Sequence, residues 1–208
     1  MIGYYNYTVI LTYVGFLCGS VGLYSAASGR TNLAIIMLML AGFCDMFDGK
    51  VAKTKKDRTP QECRFGIQID SLSDMVCFGL LPPMIGYSAG LNSPIQIGVF
   101  CLFSLGALIR LAYFNVSEED RQQVTTERRK TYEGLPVTSA ALLIPLLFAF
   151  RGDLAGYFEV AATIVYAVIA TLFISPFHIK KPGMRVMLWF IVVGVVELLI
   201  LIFKYFPQ

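Results

Sequence analysis

Four aspartates lie at helical spacing in the first third of the chain. Asp45 and Asp48 are three residues apart, and Asp70 and Asp74 are four residues apart. On a helix, either spacing places both side chains on one face, about 5–6 Å apart. Carboxylates that share a low-dielectric site must be neutralised by protons, by Lys or Arg partners, or by metal ions. We therefore expect a hairpin of two helices to bring all four carboxylates together.

Metal ions would give such a cluster a chemical use. Ligand sets made of oxygen atoms suit hard divalent cations such as Mg²⁺ or Mn²⁺. Two ions bridged by a carboxylate, about 3.5–4 Å apart, can stabilise a phosphoryl group during displacement. The four aspartates therefore indicate metal-assisted chemistry on a phosphate.

Small residues accompany the aspartates at helical spacing. Gly49 follows Asp48, Ala52 lies three residues further on, and Gly66 precedes Asp70 by four. Residues without bulky side chains leave room for a ligand against the backbone. Small residues also allow close packing of helices in membranes, which is the alternative interpretation.

The composition indicates that these residues belong to a membrane protein. Of the 208 residues, 56% are hydrophobic and 15% are charged, and the mean hydropathy is +0.66. That leaves too few charges to cover a water-facing surface. The net charge of +3 is too small to indicate nucleic-acid binding. The five cysteines show no C-x-x-C pair and suit packing.

Apolar runs predict an all-α, polytopic bundle of membrane helices forming one domain over residues 1–208. A helix needs about 20 apolar residues to cross a bilayer core of about 30 Å. The charge-free run Met75–Ile109 is too long for one crossing, and Gly90–Pro94 is its natural break. This count gives seven segments. The first covers residues 1–29, the second begins at residue 31, and the third ends at residue 90. The remaining four cover residues 94–109, 134–150, 157–175 and 186–205. The active-site hairpin is residues 31–90, with Asp70 and Asp74 in the first turns of the third helix.

Loop charges predict the orientation. Thirteen Lys and Arg residues lie in the loops after the second, fourth and sixth segments, whereas the alternate loops contain only Arg30 and Arg151. Because positive loops stay in the cytoplasm, the N-terminus and the aspartates are expected at the cytoplasmic face of the cell membrane. Glu197, within the last apolar segment, is expected to need a partner.

The motif formed by these residues resembles the signature of the CDP-alcohol phosphatidyltransferases, a family of membrane enzymes with about six helices. The matching pattern is Asp45-x-x-Asp48-Gly49-x-x-Ala52-Lys53, then Gly66-x-x-x-Asp70-x-x-x-Asp74. Lys53 stands where the family normally has Arg, and the stretch from Lys53 to Gly66 is about four residues longer than usual. The resemblance spans residues from about 9 to 182, which makes the last segment an addition to a six-helix core.

Flanking segments are similar to the branch of the family that uses L-serine. They are Asp70–Pro82, Arg110–Val116 and Gly134–Val137. Tyr113 departs from that branch, which usually has a second Arg there, and Gly15 stands near its usual Asn. The resemblance implies transfer of a phosphatidyl group from CDP-diacylglycerol to L-serine, giving phosphatidylserine and CMP, in a homodimer surrounded by membrane lipid.

The resemblance also implies residue roles. Asp45, Asp48 and Asp70 would hold two divalent cations, Mg²⁺ or Mn²⁺, and Asp74 would be the general base with a metal contact of its own. The residues expected to bind the CDP-lipid are Gly49, Ala52, Lys53, Gly66 and Arg110. Arg128 and Arg129 are candidates for serine binding.

Other interpretations stay open at this point. Arg110 could equally extend to lipid headgroups, and Arg128 and Arg129 could belong to a basic loop that only fixes the topology. The same chemistry could use another acceptor or donor, such as glycerol phosphate, an inositol phosphate or CDP-archaeol. A divalent-cation transporter would also place carboxylates in membrane helices, but usually near the midplane and within repeats.

Overall fold

The computed structural model of the chain describes residues 3–124, 131–180 and 184–205, and nearly all of its secondary structure is helical. The helices are α1 Ile10–Ala27, α2 Thr31–Ala52, α3 Pro60–Asp74, α4 Leu81–Ser88, α5 Pro94–Val124, α6 Ala140–Ala149, α7 Arg151–Leu154, α8 Phe158–Ile174 and α9 Met184–Tyr205. The predicted all-α bundle is confirmed. It is supplemented by a short antiparallel ribbon of β1 Thr131–Glu133 and β2 His178–Lys180.

α1 and α2 form a close antiparallel pair. The turn between them contains Gly29 at φ +75°, a conformation that favours glycine, and the Arg30 amide donates to the Ser25 carbonyl at 2.8 Å. A side chain at Gly15 would begin 3.2 Å from Cβ of Cys44, which is tighter than ordinary packing. Glycine on α1 therefore lets the backbones approach at the level of the aspartates.

The third predicted segment is a broken helix. α3 continues through a π-helical turn, Met75–Leu80, into α4. Pro83 has no N–H to offer the Gly79 carbonyl four residues earlier, and the Ser104 hydroxyl of α5 donates to that carbonyl at 2.9 Å. Gly90, at φ +100°, follows the end of α4. The predicted break between residues 90 and 94 is confirmed.

Two predicted boundaries are wrong. α3 begins at Pro60, so Asp70 lies in its second half and Asp74 is its last residue, not in the first turns. α5 continues from Pro94 to Val124, well past residue 109. Loss of apolar character marks where a helix leaves the apolar layer, whereas the helix itself ends only where its backbone hydrogen bonds end.

One end of the bundle holds the N-terminus and the loops that follow α2, α5 and α8. Asn6 donates to the Glu62 carboxylate at 2.9 Å, Ser71 of α3 donates to Asn115 of α5 at 2.7 Å, and β1 pairs with β2. The Lys-rich and Arg-rich loops were predicted to lie on one side together, and the elements next to them do lie at this end.

The opposite end holds the remaining loops. The Thr31 and Ser88 hydroxyls are 2.8 Å apart, which joins the start of α2 to the end of α4. Arg151 donates to the Ala89 carbonyl at 3.2 Å. The alternation of ends along the chain therefore follows the predicted order of crossings.

The surface of the bundle is apolar, and its interior contains aromatic residues. Phe103, Tyr166 and Phe173 are buried in edge-to-face contacts, whereas Ile95 and Trp189 are about 75% and 69% exposed. By length and composition, three helical stretches can cross a membrane: Tyr7–Ala27, Thr31–Ala52 and Pro94–Arg121. Shorter apolar helices accompany them. These features are those of a membrane protein.

Candidate active site

The structure brings all four predicted aspartates to one place. Oxygen atoms of Asp45, Asp70 and Asp74 lie within 4.8 Å of one another. The carboxyl groups pair between α2 and α3, Asp45 with Asp74 and Asp48 with Asp70. The spacing of three residues places both aspartates of α2 on one face, and the spacing of four does the same on α3. These two faces are turned towards each other.

α1 completes this cluster with residues that sequence reasoning missed. The Thr12 hydroxyl donates to Oδ2 of Asp48 at 2.9 Å, and the Asp48 residue is only 8% exposed. Thr12 and Gly15 of α1 line a small cavity together with Ser73, Cys77 and the four aspartates, here called the acid cavity. A threonine inside an apolar helix was the available signal, since a buried hydroxyl needs a polar partner.

A second, larger cavity of about 200 Å³ adjoins the acid cavity and is called the groove. Thr12, Asp48 and Asp70 line both cavities, so the two spaces share a wall. The four hairpin residues predicted to bind a CDP-lipid all line the groove: Gly49, Ala52, Lys53 and Gly66. The pattern of small residues therefore coincides with open space beside the carboxylates.

Gly49 and Gly66 leave space for different reasons. A Cβ at Gly49 would have no atom within 4 Å, so this glycine does not serve the close packing of helices. A Cβ at Gly66 would lie 2.6 Å from Nη2 of Arg58. Gly66 thus leaves room for a guanidinium group that also lines the groove.

Glu62 fixes the loop that carries Arg58. Its carboxylate accepts hydrogen bonds from Nζ of Lys55 at 2.8 Å, the Thr59 amide at 2.8 Å and Asn6 at 2.9 Å. The Thr59 hydroxyl in turn accepts from the Glu62 amide, which completes a capping box at the start of α3. The hydrogen bond from Lys55, followed by that from Thr59, lowers the pKa of Glu62 to about 2.

The predicted arginines are placed less directly. Arg110 is buried in α5, with its guanidinium 5.9 Å from the centroid of the Phe114 ring. It is not among the described residues that line the acid cavity or the groove. Arg128 and Arg129, the candidates for serine binding, lie outside the described residues.

The acid cavity fits a divalent cation. Oxygen atoms of three carboxylates from two helices lie within 4.8 Å of one another, and hard cations prefer oxygen ligands. Asp48, held by Thr12, offers a fourth carboxylate next to them. A phosphate-bearing ligand in the groove would lie beside any cation held there.

Comparison with protein families agrees with this chemistry. The family described as CDP-alcohol phosphatidyltransferase matches residues 5–174. The match ends at the last residue of α8, so α9 lies outside it. The prediction of a family core followed by an additional C-terminal helix agrees with this extent.

Individual relatives are named as CDP-diacylglycerol–serine O-phosphatidyltransferases or as an archaetidylserine synthase. A CDP-diacylglycerol–serine O-phosphatidyltransferase of Bacillus subtilis is 27% identical over 145 residues, covering 68% of this chain and 75% of that protein. The enzyme of the same name from Saccharomyces cerevisiae is 30% identical over 154 residues, 68% of this chain and 54% of its own length. An archaetidylserine synthase of Methanothermobacter thermautotrophicus is 32% identical over 168 residues, 80% and 66% respectively. The chain thus matches little more than half of the yeast protein.

Proposed function

The chain belongs to the CDP-alcohol phosphatidyltransferase family, and from this premise we propose that it transfers the phosphatidyl group of CDP-diacylglycerol to the hydroxyl of L-serine. The products are phosphatidylserine and CMP. The observation that carries the proposal is the convergence of four aspartates beside a groove lined by Gly49, Ala52, Lys53 and Gly66. The names of the relatives support serine as the acceptor.

In this proposal the acid cavity holds two divalent cations, Mg²⁺ or Mn²⁺. Asp45, Asp48 and Asp70 are the ligands, and Asp74 shares in the coordination. When bound, the cations neutralise charge on the diphosphate of the donor. Thr12 orients Asp48 through its hydrogen bond, so one side of the ligand set is fixed before a donor binds.

The groove binds the donor. Gly49, Ala52 and Gly66 present a surface without bulky side chains, against which the cytidine nucleotide lies. Lys53 supplies positive charge for a phosphate at the same wall. Arg110, buried in α5, is kept as a proposed contact for the phosphate or for the serine carboxylate.

Asp74 acts as the general base. The serine oxygen forms a bond to the β-phosphorus of the donor, and the bond from that phosphorus to the oxygen of CMP breaks. The serine proton passes to Asp74. CMP leaves with the electron pair of the broken bond, so atoms and charges balance without a further reactant.

Loop charges support an integral protein of the cell membrane, with the acid cavity at the cytoplasmic face. Arg128 and Arg129 belong to the loops on that side and are retained as proposed serine contacts. We also propose that the protein is a homodimer, as the family resemblance implies. Light scattering in detergent measures the mass that tests this.

A second donor is favoured by one observation. The relative named archaetidylserine synthase matches 80% of this chain. CDP-archaeol is therefore a specific alternative to CDP-diacylglycerol, with the same acceptor and the same site. The test is to compare kcat/KM of the purified protein for CDP-diacylglycerol and for CDP-archaeol, each supplied in micelles of the same detergent.

The decisive assay is metal-dependent release of CMP, with and without serine. Wild-type protein should release CMP only when donor, serine and Mg²⁺ or Mn²⁺ are all present. Asp70→Asn and Asp74→Asn should lower the rate at least about 1,000-fold. Asp57→Asn is the matched control, because Asp57 is an exposed aspartate of the same loop region that lines neither cavity. Undiminished turnover in Asp74→Asn would refute its role as base.

The transporter alternative has its own outcome. Metal uptake into liposomes that does not depend on a CDP-lipid, together with absence of CMP release, would support it in place of the transferase.

A further inference from the structure

We propose that Arg58 binds the diphosphate of the nucleotide-linked donor in the groove. This assignment rests on the proposed function and adds a residue to it. Arg58 lies in the loop between α2 and α3, outside the motif of small residues and aspartates. Four observations support it.

The first observation is the position of the guanidinium. Arg58 lines the groove together with Asp48 and Asp70, which also line the acid cavity. A ligand that reaches from the acid cavity into the groove therefore passes the guanidinium. A nucleoside diphosphate held by cations at the aspartates has this extent.

The second observation is that, among the described residues, the hydrogen-bonding capacity of Arg58 is only partly used. Nη2 donates to the main-chain carbonyl of Glu62 at 3.1 Å. Nε is shielded from solvent and has no hydrogen-bond partner in the described part of the chain. A shielded N–H without an acceptor is costly, so the guanidinium gains by turning towards an anionic ligand in the groove.

The third observation concerns the carboxylate of Glu62, whose main-chain carbonyl accepts from Arg58. The Glu62 side chain accepts from Lys55, Thr59 and Asn6, and among the described residues Arg58 forms no ion pair with it. Arg58 is thus placed by the Glu62 backbone while its charge is left for another partner. Planar guanidinium groups bind phosphate oxygens through two parallel hydrogen bonds, which Lys53 cannot do.

The fourth observation is that Gly66 accommodates this arginine. A methyl group at residue 66 would lie 2.6 Å from Nη2 of Arg58. Gly66→Ala would therefore displace the guanidinium without changing any charge. The two positions should act as a unit, which a double-mutant cycle can measure.

The experiment measures binding of CDP and of cytidine to the full-length protein in detergent, by calorimetry with Mg²⁺ present. Arg58→Gln should weaken CDP binding about 10- to 100-fold, the range for a lost hydrogen bond to a charged group, and leave cytidine binding unchanged. Arg58→Lys should recover only part of the loss. Lys56→Gln is the matched control, because Lys56 is an exposed cation of the same loop that does not line the groove. Thermal melting confirms that each variant is folded.

Steady-state kinetics provide a second measurement. Arg58→Gln should raise KM for CDP-diacylglycerol more than it lowers kcat, with the Mg²⁺ dependence unchanged. Gly66→Ala should raise the same KM, and the effect of the double variant should be smaller than the sum of the two single effects. Arg58→Lys, which keeps the charge, keeps the assignment testable if Arg58→Gln folds poorly.

The possible failures are distinguishable. If wild-type protein neither binds CDP nor releases CMP, the proposed function fails and the Arg58 assignment fails with it. If wild-type protein does both and Arg58→Gln binds CDP as tightly as Lys56→Gln, only the Arg58 assignment is overturned. A changed Mg²⁺ dependence with unchanged CDP affinity also overturns it, because Arg58 would then be a counter-ion for the aspartates.

Discussion

The hydroxyl of Thr12 on α1 donates a 2.9 Å hydrogen bond to Oδ2 of Asp48 on α2. Both residues are buried, with 7% and 8% of their surfaces exposed. Asp48 lines both the acid cavity and the groove. The first helix therefore orients a carboxylate of the candidate metal site, in addition to packing against α2.

Replacing Thr12 by Val should lower activity while leaving the fold intact. Val has nearly the same shape but no hydroxyl, so Asp48 loses a hydrogen bond of about 1.5–3 kcal/mol. We expect a rate about 10-fold lower or more, and a higher Mg²⁺ concentration for half-maximal CMP release. Thr12→Ser keeps the donor and should restore most of the activity. Equal metal dependence in the Val and Ser variants would contradict the role of this hydrogen bond.

Removal of divalent cations should be visible in stability as well as in activity. Like charges in the acid cavity repel one another, and a bound cation relieves that repulsion. Mg²⁺ at about 100 times its dissociation constant should stabilise the wild-type protein by about 2.7 kcal/mol for each bound ion. Asp45→Asn removes one ligand, so it should gain less stability from Mg²⁺ than the wild type does. A melting temperature that does not respond to Mg²⁺ in the wild type would argue against the metal site.

The acid stability of the loop after α2 should depend on Glu62. The pKa of Glu62 is lowered to about 2 in the fold, from an ordinary value of 4.5. A lowered pKa stabilises the fold when the carboxylate is charged in both states, that is, above about pH 4.5. This contribution is lost as the pH falls from about 4.5 towards 2. Wild type should therefore melt higher than Glu62→Gln at pH 7, and the difference should shrink over that interval.

The control for this titration is Glu119→Gln. Glu119 is an exposed carboxylate at the same end of the bundle, on α5. Its replacement should leave the pH dependence of melting close to that of the wild type. If the difference in melting temperature between wild type and Glu62→Gln stayed constant from pH 7 to pH 2, the charge on Glu62 would not stabilise the loop.

Much of the candidate site could be predicted from the sequence because its signals are local. The spacing of Asp45 with Asp48, and of Asp70 with Asp74, places each pair on one helical face whatever the tertiary structure. The high cost of carboxylates near lipid made their convergence the reasonable expectation. The start of α3 is also encoded locally, in the capping box of Thr59 and Glu62. The prediction that Asp70 lies in the first turns of this helix does not use that signal.

Other parts depend on contacts between distant segments. Thr12 is 36 residues from Asp48. A threonine in an apolar helix indicates that its hydroxyl needs a polar partner, but it does not indicate which residue that partner is. The meeting of Arg58 with Gly66 depends on how the loop folds back over α3. The ribbon of β1 and β2 joins loops that are far apart in the chain, so its short strands carry no readable periodicity of their own.

Two glycines of α2 should respond in opposite ways to a side chain. A Cβ at Gly49 meets nothing within 4 Å, whereas a Cβ at Gly42 would lie 2.5 Å from Cβ of Ala141 on α6. Gly49→Ala should therefore leave the fold intact or stabilise it by up to about 1 kcal/mol, since alanine favours helices. Gly42→Ala should lower the melting temperature, because two buried helices would have to separate.

A larger residue at position 49 tests the groove itself. The leucine side chain in Gly49→Leu extends into the groove and should hinder binding of the CDP-lipid. We expect its KM to rise at least about 10-fold, which corresponds to a loss of about 1.4 kcal/mol of binding free energy. Its melting temperature should stay near that of the wild type. Gly42→Ala should show the reverse, a lower melting temperature with an ordinary KM in the fraction that remains folded. If Gly49→Leu turned over donor with unchanged KM, the donor would have to bind elsewhere on the protein.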